Sequence, residues 1–550
     1  MITQNEQDKS VGSVQRNEKR FTIILIILAI IGVILFSYRI INDIQSGIGL
    51  TGPIISKEEA INKSKQFLTS NNFNIEGYDS SLNLYSHDNA DAFLQRNLAD
   101  GQGQDYLKEN NLSTKSYTAR FFKDSEINEF SVYIDVKSGN LVTFVNTIPE
   151  NENRPELDKE NAKVIVNNFL NSLNYNLDNF EERDYSTNKV QNRVDHTFRF
   201  KLKDSKIDSK YGEAYPVIRV DVQGDRIGLF NYYLFVPEEF EREINQSLSA
   251  GSLLTILSIL ATVFIIILAF IFLVKAFINK KANWKPYLYL SLLIFVIILI
   301  SQLNDYNVLK SVYTTDMPFA VYIAIGLIGV ILSTIILSSP ILIAGVAGEY
   351  VSNLVWKDKF TSSFKNIPKS ILRGYLIAFA SFSYISLIYL IGVKYLGLWS
   401  MSMFSTNYSF LVSFTPILSG IAILAVIWAP FIEEIVFRLF GISIFKKYFK
   451  STIVAVIIAA LIWAIGHSDY PVFPFYFRAI ELLIGGFVWG YLFIRYGLST
   501  LIASHYVYNA SIVAITMILI GKPVFIISGV VLFLFPLFLI PIINLIKKKE

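Results

Sequence analysis

The chain divides by its pattern of apolar and polar positions into three unequal stretches. The first uninterrupted apolar run, FTIILIILAIIGVILF from Phe21, is long enough with its flanks to cross a hydrocarbon core of ~30 Å. Arg16, Lys19 and Arg20 precede it and no small-residue cleavage site follows. The pattern predicts an uncleaved anchor over 21–41, with residues 1–20 in the cytoplasm. Residues 50–248 are polar but keep helical and alternating periodicities, which predicts folded α+β structure rather than disorder. From about Ala250 the chain is almost continuously apolar. Spans are expected near 250–274, 286–303, 318–347, 374–396, 409–444, 452–468, 479–494, 499–520 and 523–546, ten with the anchor.

The polar stretch repeats itself. KEEAINKSKQFL from Lys57 resembles KENAKVIVNNFL from Lys159, and FSVYIDVKSGNLVTFVNTIPE from Phe130 resembles VIRVDVQGDRIGLFNYYLFVPEE from Val217. Each pair reads as a helix followed by a hairpin with a glycine turn, giving tandem α+β units over 50–150 and 151–248. Their pattern is similar to the PepSY-like modules found outside the bacterial cytoplasmic membrane. The fold class expected is an all-α polytopic membrane protein carrying an inserted α+β domain, with additional spans over 250–370 and a last helical unit over 371–546.

Charge refines this picture. The formal net charge is +4, from 49 basic and 45 acidic residues. Residues 51–248 hold 23 basic and 32 acidic residues, leaving 26 and 13 for the remainder. The basic residues outside the polar domain gather on alternate loops: Lys275, Lys280, Lys281 and Lys285; Lys357, Lys359, Lys365, Lys369 and Arg373; Lys446, Lys447 and Lys450; Arg495; Lys547, Lys548 and Lys549. By the positive-inside rule these loops and both termini are expected in the cytoplasm of a multi-pass cell-membrane protein. The loops with Asp305, Asp316, Asp469 and Glu481, and the α+β domain, then fall outside. The chain has no cysteine, so thiol chemistry and disulfides are excluded. A mean hydropathy of +0.43 excludes a purely soluble enzyme, and the acidic polar domain argues against a nucleic-acid partner.

Polar residues inside spans cost several kcal/mol unless paired or set in a wet cavity, so each is a functional candidate. They concentrate near the C-terminal end. Glu433, Glu434 and Arg438 lie in WAPFIEEIVFRLF, His467 ends LIWAIGH, and His505 and Asn509 lie in LIASHYVYNA. Two of the four histidines are here; His87 and His196, in the polar repeats, are expected to have surface or hydrogen-bonding roles. Glu434 and Arg438 are at i,i+4, the favoured order for a helix ion pair, while Glu433 points about 100° away and lacks that partner. His505 and Asn509 share a helix face, as do Trp463 and His467. One carboxylate, two imidazoles and one carboxamide form a set for water activation: Glu433 takes a proton, the imidazoles hold the water, and Asn509 with a histidine donates to an oxyanion. Glu433, His467 and His505 also meet the usual ligand count for a catalytic divalent metal such as zinc. Sequence leaves both versions open. It also leaves open a helix staple for the Glu434–Arg438 pair, and close helix packing for Gly485, Gly486 and Gly490.

EEIVFR at Glu433–Arg438 fits the E-E-x-x-x-R motif, WAIGH at Trp463–His467 resembles F-x-x-x-H, and HYVYN at His505–Asn509 fits H-x-x-x-N. In this order and spacing they resemble the CPBP (CAAX protease and bacteriocin-processing, or Abi) family of intramembrane endopeptidases. The resemblance implies a helical core in which Glu433 activates water against a peptide bond. It implies that His467, His505 and Asn509 complete the site, with Glu434 and Arg438 supporting. It implies a protein or peptide substrate at the bilayer, lipidated or secreted, and members of the family are often labelled metalloproteases. Two readings from other classes compete: a non-catalytic immunity or scaffold protein of the same family, and a proton-coupled transporter. Trp463 departs from the family's Phe and brings an indole N–H that needs a partner. His467 follows Ser451 by sixteen positions, about 24 Å of ideal helix. His505 lies only a few residues into its span from the inner side, so either the helix before His467 starts below the membrane plane, the preferred reading, or the site opens at mid-depth through a broken helix.

Overall fold

The computed structural model describes residues 4–45, 49–99, 101–356, 366–401 and 403–547, with side chains from residue 18 to residue 545. Lys357, Lys359, Lys365, Lys548 and Lys549 of the charge pattern lie outside the described residues, as do the side chains of Arg16 and Lys547.

The polar stretch forms one antiparallel sheet. Its strands are β1 (Asp79–Ser86), β2 (Lys115–Phe122), β3 (Glu129–Asp135), β4 (Leu141–Thr147), β5 (Phe180–Val190), β6 (Arg193–Leu202), β7 (Ile207–Ser209), β8 (Gly212–Gln223) and β9 (Arg226–Phe235). The order is β1-β2-β3-β4-β9-β8-β6-β5, with the short β7 on β8. The repeated hairpins are β3–β4 and β8–β9, and their turns place Gly139 at φ +71° and Gly224 at φ +60°, where a side chain is strained.

The two repeats were expected as tandem units; here they share one sheet, because β4 and β9 pair edge to edge (Thr143 opposite Asn231, Phe144 opposite Phe230). Pairing satisfies the backbone donors and acceptors that two separate units would each leave exposed. The repeated helices Lys57–Ser70 and Lys159–Ser172 cover this join. Phe67 packs on Phe144 at 5.1 Å between ring centroids, and its repeat counterpart Phe169 packs on Phe230 at 5.8 Å.

Among the described residues, eight helices are long and apolar enough to cross a membrane: Glu18–Gln45, Glu238–Ile278, Lys285–Asn304, Phe319–Trp356, Ile367–Tyr395, Phe477–Tyr496, Leu498–Ile518 and Pro523–Leu545. The chain is thus a mostly helical multi-pass membrane protein with an inserted sheet domain. The two other expected spans are also helical but of different build. Thr452–Ile465 has 14 residues, about 21 Å of helix against a core of ~30 Å. The segment expected at 409–444 opens with short 3₁₀ turns and becomes a helix only from Ile421. That helix is π-wound over Ile421–Trp428 and Glu434–Ile442 and α-wound between and after, to Phe449.

The membrane helices fit closely where small residues face each other. A Cβ on Gly486 would stand 2.9 Å from Ala460 Cβ, and one on Gly490 would stand 2.5 Å from a Val456 methyl. Helix Phe477–Tyr496 therefore seats directly on Thr452–Ile465, as the glycine spacing suggests. The anchor docks on the core in the same way: a Cβ on Gly32 would lie 1.9 Å from the Phe379 carbonyl oxygen. Phe36 stacks on Phe382, and the Arg39 guanidinium lies over the Tyr389 ring at 3.9 Å. Polar contacts seat the sheet domain: Lys310 pairs with Asp79 at 2.5 Å, Lys57 donates to the Ser413 carbonyl at 2.7 Å, and Asp124 accepts from Tyr313 and from the Phe319 N–H.

Because the atom facing Gly32 is backbone and cannot turn away, even Gly32→Ala should undock the anchor. We expect it to cost about 1–3 kcal/mol, the usual price of overpacking, read as a lowered Tm in detergent and earlier proteolysis after residue 45.

Candidate active site

The helix carrying Glu433 and Glu434 is pinned at its start. Asp305, at the end of helix Lys285–Asn304, accepts from Ser413 Oγ at 2.5 Å and from the Gly420 N–H at 2.8 Å. Asn304 exchanges bonds with Thr415, accepting from its N–H at 2.7 Å and donating to its carbonyl at 3.0 Å. On its other side, Gly348 approaches Leu439, and Ser352 and Ser443 hydroxyls meet at 2.7 Å. The widened π turns on either side of Ala429–Glu433 are a local winding often found at functional positions.

Glu434 is wholly buried and Arg438 is 2% exposed. The Arg438 Nε stands 3.3 Å from Glu434 Oε2, and the guanidinium lies 4.3 Å from the centre of the Trp463 ring. The other Glu434 oxygen lies 2.9 Å from His505 Nδ1. An ionised carboxylate only accepts, so Nδ1 carries the proton and His505 presents Nε2 to the site. Nε2 stands 3.9 Å from Glu433 Oε2.

His467 reaches the same carboxylate from a helix end. Helix Thr452–Ile465 stops at Gly466, which leaves its last four carbonyls in need of donors. The His467 ring supplies one: its Nδ1 lies 2.9 Å from the Trp463 carbonyl, which fixes the Nδ1–H tautomer. The His467 and Ser468 N–H groups donate to Ala464 and Ile465. Nε2 then faces Glu433 Oε1 at 4.0 Å.

Glu433, expected to lack a neighbour, has one: the Trp463 indole N–H donates to its Oε2. The indole N–H and the carboxylate satisfy each other. Asn509 is placed differently from the expectation. Its amide donates to the Ala425 carbonyl at 2.7 Å. Pro430, five residues on, has no N–H to return to that carbonyl in a π-wound helix, so Asn509 repairs the backbone. The second N–H of the amide stays available.

The three groups considered for a metal do not converge on one point. Each imidazole faces a different oxygen of Glu433, one of which already accepts from Trp463, and no group of three or more His, Asp or Glu suited to a metal ion occurs among the described residues. The arrangement fits water instead. Gaps of 3.9 and 4.0 Å are too long for direct hydrogen bonds, and between His467 Nε2 and Glu433 Oε1, 4.0 Å apart, a water donating to two acceptors ~2.8 Å away bridges the gap.

Sequence reasoning placed Glu481 on an exposed outer loop. It is 1% exposed, inside helix Phe477–Tyr496, and paired with Arg478 at 2.6 Å. Arg478 also lies near Tyr389 and over the Tyr470 ring, which packs beside His467. The i,i+3 spacing of an acid and a base in an apolar helix was the available signal. Glu349, buried among the additional spans and bonded by Asn283 and Tyr287, was also missed. His87 is half-buried, and His196 is buried with Nδ1 on the Tyr185 hydroxyl, both away from this site.

With the geometry in place, the comparisons fall on the same stretch. Residues 415–511 match the family of type II CAAX prenyl endopeptidase Rce1-like proteins, and all seven motif residues lie within the match. The resemblance read from the three motifs is borne out over that segment, which is narrower than 371–546. Among curated proteins, the chain is similar to the sporulation-killing factor biosynthesis protein SkfC of Bacillus subtilis (strain 168), 26% identical over 85 residues. That is 16% of this chain and 17% of the relative, so the chain spans about a sixth of the relative's length. No solved structure matches.

Leaving Glu434 buried without its cation should be costly. Arg438→Met is expected to destabilise the protein by about 3–5 kcal/mol in denaturant titrations in detergent. Adding Glu434→Gln should recover part of that loss, and a loss unchanged in the double variant would show that the pair is not coupled.

Proposed function

We propose that this protein is an intramembrane endopeptidase that hydrolyses a peptide bond of a membrane-associated protein or peptide with water activated by Glu433. The observation that carries the reading is the opposition of two imidazole Nε2 atoms to the two oxygens of one carboxylate, each ring anchored through Nδ1. A water between His467 and Glu433 directs its two hydrogens at acceptors and leaves a lone pair free for the scissile carbonyl carbon. On attack its proton passes to Glu433, and the carbonyl electrons move onto oxygen. The free N–H of Asn509 is the donor for that oxyanion, and His505, held by Glu434 through Nδ1, flanks Glu433. Collapse breaks the C–N bond, and Glu433 returns the proton to the leaving amine. Trp463 holds Glu433 by its indole, while Arg438 neutralises Glu434.

In this reading the sheet domain lies outside the cytoplasm and the termini inside, in keeping with the loop charges. The substrate meets the site at the bilayer. A relative named for biosynthesis of a killing factor is in keeping with a secreted peptide substrate, lipidated or not.

The test is cleavage of lipidated and unlipidated peptides by the full chain in liposomes. Glu433→Gln should lose about 10²- to 10⁴-fold in rate, the usual contribution of a general base, and His505→Ala should also be impaired. Equal product from wild type and both variants would reject catalysis and favour the scaffold reading. A chelator that abolished cleavage, restored by zinc, would replace the metal-free route drawn here.

A further inference from the structure

Helix Glu238–Ile278 belongs to two parts of the molecule. Its first turns are rooted in the sheet domain, where Phe240 and Ile244 are buried and Phe240 packs edge-on against Phe93 and Tyr211. Further along, the same helix lies against the segment that carries His467. A Cβ on Gly251 would stand 2.1 Å from the Ser468 carbonyl oxygen, so two backbones touch with no room for a side chain. Thr255 Oγ1 accepts from the Asp469 N–H at 3.1 Å. Ser258 Oγ donates to the Ile462 carbonyl at 2.6 Å, and a Cβ on Gly466 would meet the same hydroxyl at 2.7 Å.

Positions 251, 255 and 258 follow i, i+4 and i+7, one face of a helix. Their partners at 462, 466, 468 and 469 flank His467 on both sides. Of the four carbonyls left open where Thr452–Ile465 ends, that of Ile462 is closed by Ser258, and that of Trp463 by the His467 ring itself. The imidazole therefore sits on a helix end completed from outside by a residue of another helix. Beyond it the turn is held by few backbone bonds of its own, one of them from Tyr470 N–H to the His467 carbonyl at 3.4 Å.

We propose that Gly251, Thr255 and Ser258 are positioning residues for His467, and that helix Glu238–Ile278 makes the placement of that imidazole against Glu433 depend on how the sheet domain is seated. This rests on the reading of His467 as part of the catalytic site. The three residues touch no reacting atom. They act through the backbone of 462–469, and they lie outside the segment that matches the endopeptidase family.

The experiment compares Thr255→Val, which keeps the shape and removes the acceptor, with Thr255→Ser, which restores it, in the full chain in liposomes. Two readouts are taken: amide hydrogen exchange of residues 464–470 without substrate, and kcat and KM for a peptide the wild type cleaves. Thr255→Val should speed exchange at Asp469 by about tenfold, the scale of one net hydrogen bond. It should lower kcat by about tenfold or more, as misplacement of a reacting group does, with KM changed less than about twofold. Thr255→Ser should return both to wild-type values. Wild-type exchange in Thr255→Val, equal defects in the Val and Ser variants, or a rise in KM with kcat unchanged would each overturn the proposal. If the wild type cleaves nothing, the protease reading fails on its own and the exchange arm alone decides whether this helix holds the loop.

Discussion

A carboxylate with no access to solvent must be neutralised where it lies, and the burial of Glu434 is the constraint on which the site depends. Arg438 meets it from one turn along the same helix, and His505 meets it from another helix. The first contact is local and makes the helix tolerable in an apolar surrounding. The second joins helix Leu498–Ile518 to the one bearing both glutamates and fixes which nitrogen of His505 is free. The directions of His505 and Glu433 toward each other follow from that one buried charge. Trp463 completes the closure, with its ring against Arg438 and its N–H on Glu433.

The sheet domain is built into this arrangement at several points. It receives the chain from an anchor that docks on the first core helix, rests on loops between membrane helices, and hands the chain on through a helix continuous with its own core. The join of β4 with β9 makes the repeats a single plate, so a displacement of either repeat is carried by the other. The additional spans also hold the site, since Asn304 and Asp305 fix the start of the glutamate helix and the Trp428 indole donates to the Leu337 carbonyl beside Pro340.

What could be read from the sequence was what lies within one or two turns. Glu434 with Arg438, the helix–hairpin repeat and the glycine seam at 486 and 490 are set by spacings of three or four residues or by alternation, and the chain states these directly. Contacts between helices are not written in that way. The bond from Trp463 to Glu433, the hold of Glu434 on His505 and the use of Asn509 on Ala425 join residues 30, 71 and 84 positions apart. Glu481 was misplaced because a charge near the end of an apolar run resembles a loop residue until its partner at 478 is seen. The expected ten spans met a similar limit: hydropathy does not show that one apolar stretch stops after 14 residues, or that another is wound partly as π-helix.

The bond from Asn509 to Ala425 gives that side chain two duties that are easily confused. Its amide replaces a donor that proline denies to the main chain, and it does so within two turns of both glutamates. A residue there without an N–H would let the winding ahead of Glu433 relax, and on the endopeptidase reading turnover would fall even if no oxyanion ever leaned on the carboxamide. Loss of activity at this position is therefore weak testimony about chemistry. The same caution extends to any site whose catalytic helix is splinted by the side chain of a neighbour.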